Sequence, residues 1–95
     1  MRLRAKTDVN QKAVVEQLRA IGATVAITSQ LGKGFPDIVV GYGGDNYLFE
    51  IKDPKKTPSE RKLTKDEQKF NDSWEGQYAV IETTAQALKI MGVAC

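Results

Sequence analysis

The sequence predicts a single α/β domain, a sheet flanked by helices in the order α-β-β-β-α-β-α. Three observations carry this. Apolar residues recur at helical spacing in Val14, Leu18 and Ile21, and again in Phe70 and Trp74. Between them lie two runs with strand character, 37–42 (DIVVGY) and 46–52 (NYLFEIK), joined through Gly43-Gly44-Asp45 in the manner of a hairpin. The chain has 95 residues, 41% of them hydrophobic, which is enough for one core and too little for two. Residues 1–95 are therefore read as one domain.

The elements follow in order. Thr7 or Asp8 is placed to cap a first helix, with Gln11 three residues after Asp8 as in a capping box. Gly22 closes that helix, and Lys12, Glu16 and Arg19 fall off its apolar stripe. The β-branched segment 23–28 predicts a first strand. A loop with Gly32 and Gly34 leads to the hairpin. Pro54, Pro58 and polar neighbours make 53–62 an exposed loop. Thr64 caps a second helix that runs to about Trp74, and Glu67 completes its capping box. A fourth strand is expected over 77–83, then a final helix capped by Thr84 with Leu88 and Met91 inward.

Composition excludes whole reaction classes. There is no histidine, so Ser-His-Asp and Cys-His hydrolysis, histidine-based ribonuclease chemistry and His-ligated zinc all lack their central group. The single cysteine, Cys95, supports neither a disulfide framework nor a Cys-rich zinc site. No apolar run approaches the roughly 20 residues that span a bilayer. The basic start, residues 1–6, leads into a polar helix rather than an apolar signal core, so a cytoplasmic protein without membrane contact is expected. Net charge is only +2, but Lys52, Lys55, Lys56, Arg61, Lys62 and Lys65 crowd one segment, opposed there by Asp53, Glu60 and Asp66. Such a basic stretch is compatible with phosphate contacts, although charge alone favours a solvated loop.

The chemistry concentrates in Pro36-Asp37 and Glu50-Ile51-Lys52. Strand side chains alternate, so Leu48, Glu50 and Lys52 share one face while Tyr47, Phe49 and Ile51 share the other. Pairing Tyr42 with Tyr47 across the turn sets Asp37 opposite Lys52 and leaves Glu50 on the diagonal, within side-chain reach. Two carboxylates, with the Ile51 carbonyl as a further oxygen, match the ligands that Mg²⁺ or Mn²⁺ takes. Lys52 would then neutralise charge developing on a phosphodiester or position the attacking water. Ahead of Asp37, Ser29 and Lys33 lie among small residues that let a phosphate approach the backbone, and Lys55, Lys56, Arg61 and Lys62 are candidates for contacts to a nucleic-acid backbone. Tyr42, Tyr47, Phe70 and Trp74 are read as core aromatics.

Together these residues resemble the PD-(D/E)xK nuclease superfamily, and within it the stand-alone VRR-NUC domains of phages and prophages. The similarity rests on 18–23 (LRAIGA), 34–37 (GFPD), 49–52 (FEIK), 63–68 (LTKDEQ) and Gly76-Gln77, an ordered set covering most of the chain. The resemblance implies a restriction-endonuclease-like α-β-β-β-α-β core with a short C-terminal helix. It further implies metal-dependent DNA cleavage with Mg²⁺ or Mn²⁺, no small-molecule cofactor, and Asp37, Glu50 and Lys52 in the catalytic positions. Gln68 matches the family's helix glutamine beside the active site. Where such domains carry a first-helix glutamate near the metal, this sequence offers Gln11, with Glu16 as the other candidate. Similar stand-alone domains act as homodimers on four-way (Holliday) junctions, so branched DNA and a second copy of the chain are the expected partners, in a bacterial host's cytoplasm. A DNA-binding module without turnover and a subunit of a larger nuclease complex are the alternatives.

Overall fold

The computed structural model describes residues 9–93. Helix α1 (Gln11–Ala20) is followed by strands β1 (Thr24–Ile27), β2 (Ile38–Tyr42) and β3 (Asp45–Ile51). Helices α2 (Pro58–Arg61) and α3 (Lys65–Ser73), strand β4 (Tyr78–Ile81) and helix α4 (Thr84–Met91) complete the chain. The strands form one sheet in the order β1-β2-β3-β4, with β1, β2 and β3 antiparallel and β4 parallel to β3. A parallel neighbour needs a crossover, which the segment holding α2 and α3 supplies. This is the expected α/β architecture.

The core lies on the sheet face that carries Val25, Ile38, Val40, Tyr47, Phe49, Ile51 and Ile81. Val14, Val15 and Leu18 of α1 and Ala87 and Met91 of α4 close it from above. Alternation along β3 leaves Leu48 and Glu50 on the opposite face, where α3 approaches. The sheet thus has one purely apolar side and one side free for chemistry.

Several local expectations are corrected. Thr7 and Asp8 lie outside the described residues, and the N-cap of α1 is Asn10. Its amide does not cap the helix; it donates to the Lys52 carbonyl at 3.1 Å and the Glu82 carbonyl at 2.8 Å, fastening α1 to the ends of β3 and β4. Gly22, with φ of 98°, closes α1 as expected, through bonds from its own amide to Arg19 and from Ala23 to Leu18. Ile21, beyond the last turn, is exposed rather than part of the stripe. The 53–62 loop contains a helical turn, α2, because Thr57 and Glu60 form a capping box around Pro58. Thr83, not Thr84, caps α4, accepting the Gln86 amide at 3.2 Å. Trp74 ends α3 largely exposed, its ring stacked on Phe70.

The hairpin register differs by two residues from the expected one. Tyr42 pairs with Asp45 and Ile38 with Phe49, so the turn is the two residues Gly43 and Gly44, both at positive φ. A slip of two preserves every side chain's face, so Glu50 and Lys52 stay on the Asp37 side. It does move their partners: Asp37 lies next to Glu50, not opposite Lys52.

Candidate active site

Where β2 begins and β3 ends, the sheet meets the start of α3 at a cleft of about 360 Å³. Asp37, Glu50, Ile51, Lys52 and Glu67 form its floor and one wall. Ser29, Lys33 and Lys56 stand around it.

Asp37 is fixed at the point where the β2–β3 ladder stops. Its amide reaches the Phe49 carbonyl at 3.1 Å, and its carboxylate accepts the Ile51 amide at 2.7 Å. A charged acceptor on a backbone donor makes a short, strong bond, so one carboxylate oxygen is locked onto the backbone of β3. The Ile51 carbonyl belongs to the same residue and lines the same cleft.

Glu50 is only 4% exposed, and its Oε1 is buried with no hydrogen-bond partner among the described residues. Burial is the main force pushing its carboxyl up to about 9; the charges of Asp37 and Glu67 and a hydrogen bond with Glu67 act in the same direction, against the pull of Lys52. Without a cation, Glu50 therefore holds a proton at neutral pH. Lys52, 9% exposed, sets its Nζ 2.9 Å from Glu67 Oε1 and 3.7 Å from Glu50 Oε2.

Glu67 is the site residue that sequence reasoning assigned only to helix capping. It does cap, since Oε1 accepts the Thr64 amide at 2.9 Å while its own amide donates to the Thr64 hydroxyl. Burial works against its carboxylate, but the bonds from Lys52, Thr64 and Glu50 outweigh that and hold it below the usual range. A capping box turns the third helical residue back toward the helix start, and here the helix start faces the cleft. That geometry was legible in the spacing of Thr64 and Glu67.

Gln68, one position on, faces away. It is exposed, lies outside the cleft lining and donates to Asp72 at 2.8 Å. Gln11 is 5% exposed and lies outside the cleft lining, its amide 3.4 Å from the Ser29 hydroxyl and its Oε1 buried with no hydrogen-bond partner among the described residues. Glu16 is solvent-exposed beside Lys12. Of the basic residues, Lys33 and Lys56 reach the cleft; Lys55 and Lys62 are exposed outside it. Arg61 is engaged elsewhere, its guanidinium 3.0 Å from Glu82.

The loop before Asp37 owes its shape to glycine. Phe35 donates to the Gly32 carbonyl at 3.1 Å across a turn whose central residues, Lys33 and Gly34, have φ of 56° and 82°. Any Cβ on Gly34 would collide with the Asp66 carbonyl, so this loop packs directly on the backbone at the start of α3.

The fold has a counterpart among solved structures. A chain described as a VRR_NUC domain is 26% identical to this one and superposes with a TM-score of 0.55, covering 86% of this chain and 89% of its own. The chain has a VRR_NUC-like fold. No family model and no curated protein sequence matches it. The VRR_NUC-like core is thus a restriction-endonuclease-like α/β sheet, with the cleft at the ends of its two central strands. Among the described residues no helix is long and apolar enough to cross a membrane.

Proposed function

We propose that this chain is a metal-dependent endonuclease that hydrolyses phosphodiester bonds in DNA, with Asp37, Glu50 and Lys52 as its catalytic residues. The observation that carries the reading is the meeting of Asp37, Glu50 and Lys52 in one cleft, with the Asp37 carboxylate locked onto the Ile51 amide. The similarity to a VRR_NUC domain supports it independently.

The donors suit a hard divalent cation. Asp37 and Glu50 offer carboxylate oxygens and Ile51 a carbonyl, and the partnerless Glu50 Oε1 is a buried polar atom in need of a ligand. Among the described residues no group of three or more Asp, Glu, Cys or His side chains is placed to hold a metal ion, so a carbonyl, waters and substrate oxygens would have to complete the shell. Mg²⁺ or Mn²⁺, which keep waters and take substrate phosphate oxygens, fit so sparse a set. When bound, such an ion supplies Lewis acidity and an acidified water.

The chain's own residues do the rest. Lys52 places an ammonium beside the carboxylates, where it offsets charge growing on the scissile phosphate's oxygens. Lys33 and Lys56 flank the cleft and bind neighbouring phosphates, with the Ser29 hydroxyl as a neutral donor. Gln68 has no part in this reading, because its side chain is turned outward. Gln11 meets the cleft only through its contact with Ser29.

Branched DNA cut by a homodimer is the substrate and assembly we favour. Two symmetric cuts need two sites at fixed separation, which a twofold dimer provides. The outer edge of β4 and the adjoining face of α4 expose Val80 and Ile90, apolar surface suited to a second copy. The test is to titrate Mg²⁺ and Mn²⁺ into the purified protein with labelled four-way junction, flap and linear duplex, beside a sedimentation measurement. Preferential cutting of the junction by a dimer is expected. Binding without cleavage of any substrate would replace this reading with that of a non-catalytic module or a subunit awaiting partners.

A further inference from the structure

We infer that Glu67 is a positioning residue that holds the Lys52 ammonium in the cleft, an inference that rests on the nuclease reading of the site. Lysine carries its charge on a flexible four-carbon stem, so an ammonium that must act at one point has to be pinned. Of the two carboxyl groups near Lys52 Nζ, Glu67 at 2.9 Å makes the hydrogen bond, while Glu50 at 3.7 Å is beyond hydrogen-bond reach. Glu67 is itself immobilised, because the oxygen that faces Lys52 also accepts the Thr64 amide at 2.9 Å. The pin comes from α3, and the residues it serves come from the sheet.

Charge explains why a second carboxylate is needed. A divalent cation held by Asp37 and Glu50 would neutralise Glu50 and would repel the ammonium at close range. Lys52 then keeps its place only if another anion holds it. Glu67 is that anion. With all three carboxylates ionised, Asp37, Glu50 and Glu67 against Lys52 leave two negative charges, the complement of a divalent cation. Removing Glu67 would leave one and let the ammonium swing out of the cleft.

Glu67→Gln separates this role from capping, because glutamine serves equally at the third position of a capping box. The variant should melt close to the parent. In protein labelled with ¹⁵N at its lysine side chains, the Lys52 ammonium of the parent should show protons protected from exchange at low temperature, and Glu67→Gln, which keeps an oxygen there but loses its charge, should clearly reduce that protection. Cleavage should lose roughly tenfold or more in kcat with little change in KM for DNA. The double variant Glu67→Gln, Lys52→Ala should be no worse than Lys52→Ala alone, since both changes disable one ammonium. Parent Lys52 protons exchanging as fast as those of exposed Lys55, or protection unchanged in Glu67→Gln, would overturn the inference. So would losses in the double variant that simply multiply. A parent with a protected Lys52 ammonium that Glu67→Gln releases, but with no cleavage of any DNA, would support the pin and overturn the nuclease reading.

Discussion

The Asp37 carboxylate accepts the amide hydrogen of Ile51 at 2.7 Å, so the first acid of the cleft is held by the backbone of the strand that carries the second. Asp37 and the Glu50-Ile51-Lys52 segment are therefore one rigid unit rather than two motifs that happen to approach. Asp37→Asn keeps an oxygen for the Ile51 amide and removes the charge. It should cut cleavage by roughly 100-fold or more while DNA affinity stays near the parent's. Single-turnover cleavage with a parallel binding titration checks this; parent-like turnover would show that Asp37 is not a catalytic group.

Glu50 carries the pH dependence. Burial first, then neighbouring negative charge, raises its carboxyl from 4.5 to about 9 in the folded chain. Between these values the folded state binds more protons than the unfolded state, so the slope of stability with pH is negative there. Glu50's contribution is fully present below pH 4.5 and is lost as pH climbs through about 9. Urea unfolding of parent and Glu50→Gln across this range should show the parent losing ground to the variant as pH rises; a constant difference would refute the raised carboxyl. Affinity for Mn²⁺ should move the opposite way, rising by up to about tenfold per pH unit, because the ion must displace the proton.

Gly34 sets the seat of the loop on α3. Its φ of 82° and the Asp66 carbonyl against it leave no room for a Cβ. Gly34→Ala should cost about 2–3 kcal/mol or more, whereas Gly32→Ala, at φ of 72° in open space, should cost only the backbone strain of about 1 kcal/mol. Midpoints of urea unfolding report both, and equal losses would mean that the contact with Asp66 contributes nothing.

The two lysines of the 53–57 turn should behave differently. Lys56 borders the cleft and Lys55 does not. Lys56→Ala should weaken DNA binding and lower the slope of log affinity against log salt by about 1, with Lys55→Ala having the smaller effect. Anisotropy titrations at several salt concentrations test the contrast, and the reverse order would move the DNA path outward.

The Tyr78 hydroxyl is buried with no hydrogen-bond partner among the described residues, and burial together with the charges of Glu50, Glu67 and Asp37 raises its ionisation well above the usual tyrosine value. Tyr78→Phe removes an unsatisfied polar group, so stability should stay level or rise by up to about 1 kcal/mol. A loss of that size in calorimetry would reveal a partner for the hydroxyl.

Much of this fold was readable because its signals are local. The Gly43-Gly44 turn, the alternation of Tyr47, Phe49 and Ile51, and the Thr64/Glu67 capping box are all contained within short windows. The register was less accessible, because the same glycines admit a two-residue turn or a longer loop. The turn α2 was also written in the sequence, as Thr57 and Glu60 with Pro58 between, but the surrounding polar residues obscured it. The site divides in the same way. Asp37, Glu50 and Lys52 announce themselves by type and spacing, whereas the choice between Glu67 and Gln68 depends on which way α3 is turned against the sheet. The Asp37–Ile51 bond depends on where a ladder ends, which only the folded backbone reveals.

The two-glycine turn has a practical consequence. Five strand steps, about 17 Å, separate Tyr42 at the hairpin tip from Asp37 at the cleft, and side chains along that length repeat with a period of two. The hairpin can therefore be lengthened at its tip by pairs of residues on each strand without turning a cleft side chain over, while an odd addition to one strand would invert its faces. The far end of the sheet is thus a natural port for a reporter or a tether, mechanically continuous with the cleft yet outside its chemistry.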